Sequence, residues 1–212
     1  MSDVYSDLSD ALIAGNIETI KKLVTQALAE GVGAQTVLER GLLPGMQVVG
    51  DRFKAGEMFI PEVLLVARAM RAGMEILRPV LTEKEGQATG TVVIGTVQGD
   101  LHNIGKNLVA MMLEGAGFRV IDLGIDVKPQ AFVKAVSQHK PDIVALSALL
   151  STTMLRMADT INALKEANMR EGVKIMAGGA PVTDEFAKHI GADGYASNAG
   201  AAVDKAKELL CR

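Results

Sequence analysis

Tryptophan is missing from this chain of 212 residues, and five Phe with two Tyr bring the aromatic content to only 3%. A core must therefore be built from Ala, Val, Leu, Ile and the eleven Met. The single cysteine, Cys211, excludes an intrachain disulfide and a cysteine metal cluster, which suits a reducing cytoplasm. A net charge of −3, with acidic and basic residues interspersed, leaves no basic stripe, so nucleic acid is not an expected partner. No apolar run reaches the roughly 18 residues of a membrane span, and the acidic start Met1-Ser2-Asp3-Val4-Tyr5-Ser6-Asp7 lacks the regions of a signal peptide. The expectation is a soluble cytoplasmic protein with neither membrane nor nucleic-acid partners. What the chain does have is 49% apolar content and 22 Gly, ample for a packed core and suited to helices lying close on a sheet.

The first eighty residues carry a helical pattern. Apolar residues recur at three- and four-residue spacing through Leu8, Leu12 and Ile13, then Ile17, Ile20, Leu23, Val24 and Leu28, then Val37, Leu38, Leu42 and Leu43. Gly15-Asn16 and Gly31-Val32-Gly33 read as helix ends. A fourth helix begins at Pro61, runs through Val63, Leu64, Val66, Met70 and Leu77, and stops near Pro79. Four helices with short connections predict a bundle over 1–81. The polar, aperiodic stretch 82–90 reads as a linker.

From 91 to 212 the texture changes to strands alternating with helices. Thr91 to Val97, Arg119 to Leu123, Asp142 to Ser147, Lys174 to Ala177 and Gly194 to Ala196 are short and apolar, as buried strands are. Helical stretches lie near Ile104 to Glu114, Pro129 to Gln138, Met154 to Asn168, Asp184 to Ile190 and Gly200 to Leu210. This alternation implies a parallel sheet with right-handed crossovers. Five strands fit the flavodoxin-like, Rossmann-like order 2-1-3-4-5, which binds ligands at the carboxyl ends of the strands, between the first and third.

The unusual residues converge on that edge. Asp100, His102 and Gly105 follow strand one, Ser147 and Leu149 close strand three, and Gly178-Gly179 follow strand four. An Asp two residues before a His can orient the imidazole, as behind many metal ligands. Gly105 leaves room for something bulky to approach, and the Ser147 hydroxyl offers a hydrogen bond inside a cleft. His139 and His189 sit near helix C-termini, where a cation complements the dipole, and read as structural. Glu57 and Glu62 read as solvated or capping charges rather than paired acids. The stretch Gly99 to Lys106 does not match a phosphate loop, because the intervals differ and Asn107 replaces the required Ser or Thr.

Written out, the pattern is Asp-x-His-x2-Gly, 41 residues, Ser-x-Leu, 28 residues, Gly-Gly. It resembles the cobalamin-binding signature of the methionine synthase and methylmalonyl-CoA mutase group. The helical half is similar to the cap of the methyl-carrying branch, through Val49-Gly50-Asp51-Arg52-Phe53, Gly56-Glu57-Met58-Phe59-Ile60-Pro61-Glu62-Val63 and Ala67-Arg68-Ala69-Met70. The matches span nearly the whole chain. They are most similar to the small corrinoid proteins that serve methylamine, methanol, glycine betaine or aryl ether methyltransferases.

The resemblance implies a cobalamin or related corrinoid, methylcobalamin when loaded. His102 would coordinate cobalt from below in place of the cofactor's dimethylbenzimidazole, with Asp100 accepting a hydrogen bond from the other ring nitrogen. Asn103, Ile104 and Gly105 would complete the loop beside the cofactor. Ser147 and Leu149 would line the tail pocket, with a hydroxyl from Thr152 or Thr153, and Gly178-Gly179 with Gly194-Tyr195 would border the nucleotide end. Phe59, with Val63 or Val66, would cover the reactive face. The chain would then be a non-catalytic methyl carrier between a donor-side methyltransferase and a second one that passes the methyl group to coenzyme M or tetrahydrofolate, served by a reductive activation protein. Two other readings stand beside it: a cobalamin-dependent sensor or regulatory module, and a cofactor-free enzyme using Asp100 and His102 for acid-base or metal chemistry.

Overall fold

A computed structural model describes residues 4–81 and 89–210. Most of the expected linker, residues 82–88, and Cys211 lie outside the described residues. The chain divides into two compact units, one drawn from residues up to 88 together with 115–117, the other from the remainder.

The first unit is helical: α1 (Val4–Ile13), α2 (Ile17–Ala29), α3 (Ala34–Val37), a π-helical turn (Leu38–Leu42), α4 (Leu43–Lys54) and α5 (Ile60–Leu77). Since α3, the π turn and α4 run on without a break, the four expected helices are present, the third of them widened in the middle. The cause lies at Pro44, which has no N–H to give the carbonyl of Arg40, so the helix opens by one residue and Leu43 N bonds Leu38 O instead. Asn16 caps α2, its side chain accepting from Thr19 N at 3.1 Å, and Ile20, Val24 and Ala27 form the buried stripe behind it. Glu62 accepts from Phe59 N at 2.8 Å, which makes it the cap of α5 and not a member of an acid pair. Helix α1 crosses the third helix at Gly41, where a Cβ would stand 2.8 Å from Leu8 Cδ1.

The second unit alternates β1 (Thr91–Thr96), α6 (Ile104–Gly115), β2 (Arg119–Asp122), α7 (Pro129–His139), β3 (Ile143–Ser147), α8 (Ser151–Met154), α9 (Arg156–Glu166), β4 (Lys174–Gly178), α10 (Asp184–His189), β5 (Gly194–Ala196) and α11 (Ala199–Leu210). The sheet is parallel throughout, in the order β2-β1-β3-β4-β5 that the alternation predicts. The helix expected over Met154 to Asn168 is α9, with the short α8 ahead of it and Leu155 joining the two at helical φ −62° and ψ −25°.

Alternation along each strand sorts side chains onto two faces. On one face Val93, Val97, Val144, Leu146, Ile175 and Ala177 pack with Phe132 of α7, Met157, Ile161 and Leu164 of α9, and Ala187 of α10. Ion pairing between Lys106 and Asp122 puts α6 over the other face, and Lys205 of α11 lies against Gly194 on that same side. The register brings Thr96, Ser147, Gly178 and Ala196 into one row across it. Gly124 extends the row past Thr96, accepting its N–H at 3.0 Å. The result is a shelf of small side chains at the carboxyl ends of the strands.

Candidate functional site

Asp100 is wholly buried, yet both its oxygens are in use. Oδ1 accepts the His102 backbone N–H at 3.0 Å and faces His102 Nδ1 at 2.7 Å. Oδ2 accepts the Leu149 N–H at 2.8 Å, the Thr153 hydroxyl at 2.6 Å and, at 3.4 Å, the Leu150 N–H. Burial pushes the Asp100 carboxyl up, but donation from Thr153, from the Leu149 and His102 amides and from the His102 ring outweighs it and holds the group well below the usual carboxylate range.

That charge sets the chemistry of the neighbouring ring. A carboxylate can only accept, so Nδ1 carries the proton and Nε2 keeps its lone pair. The His102 side chain is 49% exposed, and Nε2 has no hydrogen-bond partner among the described residues. An oriented imidazole with one free lone pair and a buried anion behind it is a metal ligand in wait. No group of three His, Cys, Asp or Glu among the described residues could hold a metal ion. A metal bound at His102 must therefore bring most of its coordination sphere with it.

The surroundings suit a large planar group. Leu101 and Ile104 flank His102 in sequence with 68% and 72% of their surface exposed. Leu149 and Leu150 turn their amides inward to Asp100 and their side chains out. Apolar side chains left in water around one imidazole mark a binding surface. A Cβ at Gly105 would meet nothing within 4 Å, so the protein itself makes no use of the space there. Ser147 is half-buried on the shelf, and its hydroxyl has no protein partner among the described residues.

The structure brings Asp100, His102, Leu149 and Thr153 together and sets Asn103, Ile104 and Gly105 on the same exposed turn and helix start. Of the two threonines, Thr153 is the buried one that reaches Asp100, while Thr152 is exposed. Gly179 has a reason of its own: with φ at +132° its Cβ would stand 1.8 Å from the Ala148 carbonyl oxygen, so the strand crossing alone demands glycine. Gly194 is on the shelf face but receives the stem of Lys205 from α11. Tyr195 points the opposite way and packs in the core with α7, α9 and α10. In the helical unit Phe59 is 67% exposed, whereas Val63 and Val66 are buried.

Two further groups surround the loop. Thr96, buried at the end of β1, donates its hydroxyl to His102 O at 2.9 Å. Asp126 accepts from Gly99 N at 2.7 Å and donates its own N–H to Asp100 O at 3.0 Å. A hydroxyl closing an otherwise apolar strand was a sequence signal for Thr96. Nothing local signals Asp126.

A parallel sheet whose switch point holds one oriented imidazole, an apolar rim and a small-residue shelf defines a binding domain for a metal carried inside an organic macrocycle. Family comparison gives the macrocycle: residues 90–204 and residues 4–78 each match a B12 binding domain. The chain belongs to this B12-binding family. It is 46% identical to trimethylamine corrinoid protein 2 of Methanosarcina mazei, over 98% of this chain and 96% of that protein. The crystal structure of a cobalamin-binding protein from Desulfitobacterium hafniense is similar at a TM-score of 0.83 and 33% identity, covering 99% of this chain and all of that one. The methanol:cobalamin methyltransferase complex of Methanosarcina barkeri contains a chain similar at a TM-score of 0.87 and 28% identity, covering 98% of this chain and 80% of that chain. Among the described residues no helix is long and apolar enough to cross a membrane.

Proposed function

We propose that this protein carries a methyl group on a bound corrinoid from a substrate-specific methyltransferase to a second methyltransferase that delivers it to coenzyme M or tetrahydrofolate, with a reductive activation protein restoring carriers lost to oxidation. The observation that carries this reading is the His102 imidazole, oriented by a buried carboxylate and free at Nε2, in a chain 46% identical to a trimethylamine corrinoid protein. When bound, the corrinoid supplies a cobalt centre that accepts a methyl group and gives it up again.

The chain's own residues do the rest. His102 would hold the cobalt through Nε2. Asp100 keeps the proton on Nδ1 and fixes the orientation of the ring. Thr153 and the Leu149 amide keep Asp100 ionised, so the charge that orients the ring is present with or without a cofactor. Ser147 would offer its unpaired hydroxyl to the cofactor, and Leu101, Ile104, Leu149 and Leu150 would supply an apolar seat. Phe59, with 67% of its surface exposed, is an apolar side chain that the helical unit would offer to a cofactor.

Reconstitution with a corrinoid tests the reading. The purified protein should turn red or orange and change spectrum on reduction and on methylation. His102→Ala should retain some corrinoid while losing the spectrum of an imidazole-ligated cobalt and slowing methyl transfer. A protein that takes up no corrinoid ends this proposal, and indistinguishable spectra for His102→Ala and wild type end the ligand assignment.

A further inference from the structure

The loop that carries His102 is gripped from the side opposite Leu149 and Thr153 by the segment between β2 and α7. Four hydrogen bonds cross there: Thr96 N to Gly124 O at 3.0 Å, Val127 N to Thr96 O at 2.9 Å, Asp126 N to Asp100 O at 3.0 Å, and Gly99 N to Asp126 Oδ1 at 2.7 Å. Two belong to Asp126, which holds the N–H of Gly99 with its side chain and the carbonyl of Asp100 with its backbone. Asp122 steadies the start of the segment, accepting from Gly124 N at 2.8 Å and from the buried Lys106 ammonium at 2.5 Å.

Asp126 adopts φ +51°, a left-handed conformation that a residue with a side chain takes less readily than glycine. Gly124, two residues earlier, turns the chain at φ +86° with no side chain to accommodate. A turn alone would be better served by a second glycine. The side chain is kept where it is strained because its carboxylate closes the clamp on Gly99.

We infer that Asp126 is a positioning residue for the cobalt ligand: it holds the Gly99–Asp100 backbone so that Asp100 and His102 keep the ligating arrangement whether or not Nε2 is bound to metal. This rests on His102 being the ligand, as proposed above. Both of these Asp126 bonds are to the backbone of Gly99 and Asp100 and not to the His102 ring.

Two variants separate the side chain from the turn. Asp126→Gly keeps the left-handed backbone and loses the bond to Gly99. Asp126→Asn keeps an oxygen in the same place. In the corrinoid-free protein, hydrogen exchange at the Gly99 amide should quicken about tenfold in Asp126→Gly, the equilibrium change carried by one charge-assisted hydrogen bond. Exchange in Asp126→Asn should stay near wild type. With cob(II)inamide bound, a corrinoid that has no nitrogenous base of its own, the triplet splitting that the His102 nitrogen places on the Co(II) resonance should weaken in Asp126→Gly and return in Asp126→Asn. Unchanged Gly99 exchange in Asp126→Gly, or equal loss in both variants, overturns the inference. Gly99 exchange is read without cofactor, so failure of the clamp is distinct from failure of His102 to ligate, which appears as absent nitrogen splitting in the wild type.

Discussion

Thr153 and Asp100 lie 53 residues apart in sequence and share a hydrogen bond of 2.6 Å, the hydroxyl donating to Oδ2. With the Leu149 amide it makes up the nearer half of the carboxylate's support, on the side away from His102. Thr153→Val keeps the shape and removes the donor, leaving a buried charge short of a partner. The expected loss is about 1.5–3 kcal/mol of stability in the corrinoid-free protein, read by urea denaturation, with Thr153→Ser close to wild type. Equal stability for Thr153→Val and wild type would show that the hydroxyl is not needed there.

Acid should erase what the Asp100 charge contributes. Because folding lowers the pKa of this group, its stabilisation is fully present above the ordinary Asp value of about 4 and is lost as pH falls toward the depressed folded value. Asp100→Asn should therefore be much less stable than wild type at pH 7, and the gap should narrow as pH drops below about 4. Denaturation of both proteins across this range measures the gap, and a gap independent of pH would contradict the assignment.

Two glycines of the signature should behave in opposite ways. Gly179→Ala drives a methyl into the Ala148 carbonyl and should prevent folding or cost more than about 4 kcal/mol. Gly105→Ala meets no protein atom and sits in the first turn of α6, so stability should hold or rise by about 0.5–1 kcal/mol. If the open space belongs to the corrinoid, the same Gly105→Ala protein should bind cobalamin more weakly. Thermal melts and a cobalamin titration separate the two effects.

Lys106 and Asp122 form an unequal pair, with side chains 2% and 40% exposed. Asp122→Ala strands a buried ammonium, which retains only the Asn107 side chain, and should cost about 3 kcal/mol. Lys106→Met leaves a carboxylate that water can reach and should change stability by about 1 kcal/mol or less. A reversed order in guanidinium denaturation would mean that the ammonium is not buried in solution.

Periodicity made much of this molecule readable. Apolar spacing and the breaks at Gly15-Asn16 and Gly31-Val32-Gly33 mark the helices of the first unit, and the strand and helix alternation leads to the sheet order. Asp100 and His102 stood out because the pairing is local, two residues apart. The remainder depends on distance in the chain. Choosing Thr153 over Thr152 requires knowing where α8 begins, and Asp126 reaches Gly99 across 27 residues from a position with no glycine to announce its left-handed turn. Gly179 carried a visible signal, but its demand comes from the Ala148 backbone, invisible until β3 and β4 are placed side by side. The widened turn before Pro44 escaped because a π turn leaves the apolar rhythm nearly intact.

The shell around Asp100 is complete without any cofactor. The conformational entropy of aiming the imidazole is thus surrendered when the chain folds, not when the cofactor arrives. Cofactor uptake should then be a single capture event with a rate proportional to corrinoid concentration, free of the plateau that a slow rearrangement of the histidine loop would impose.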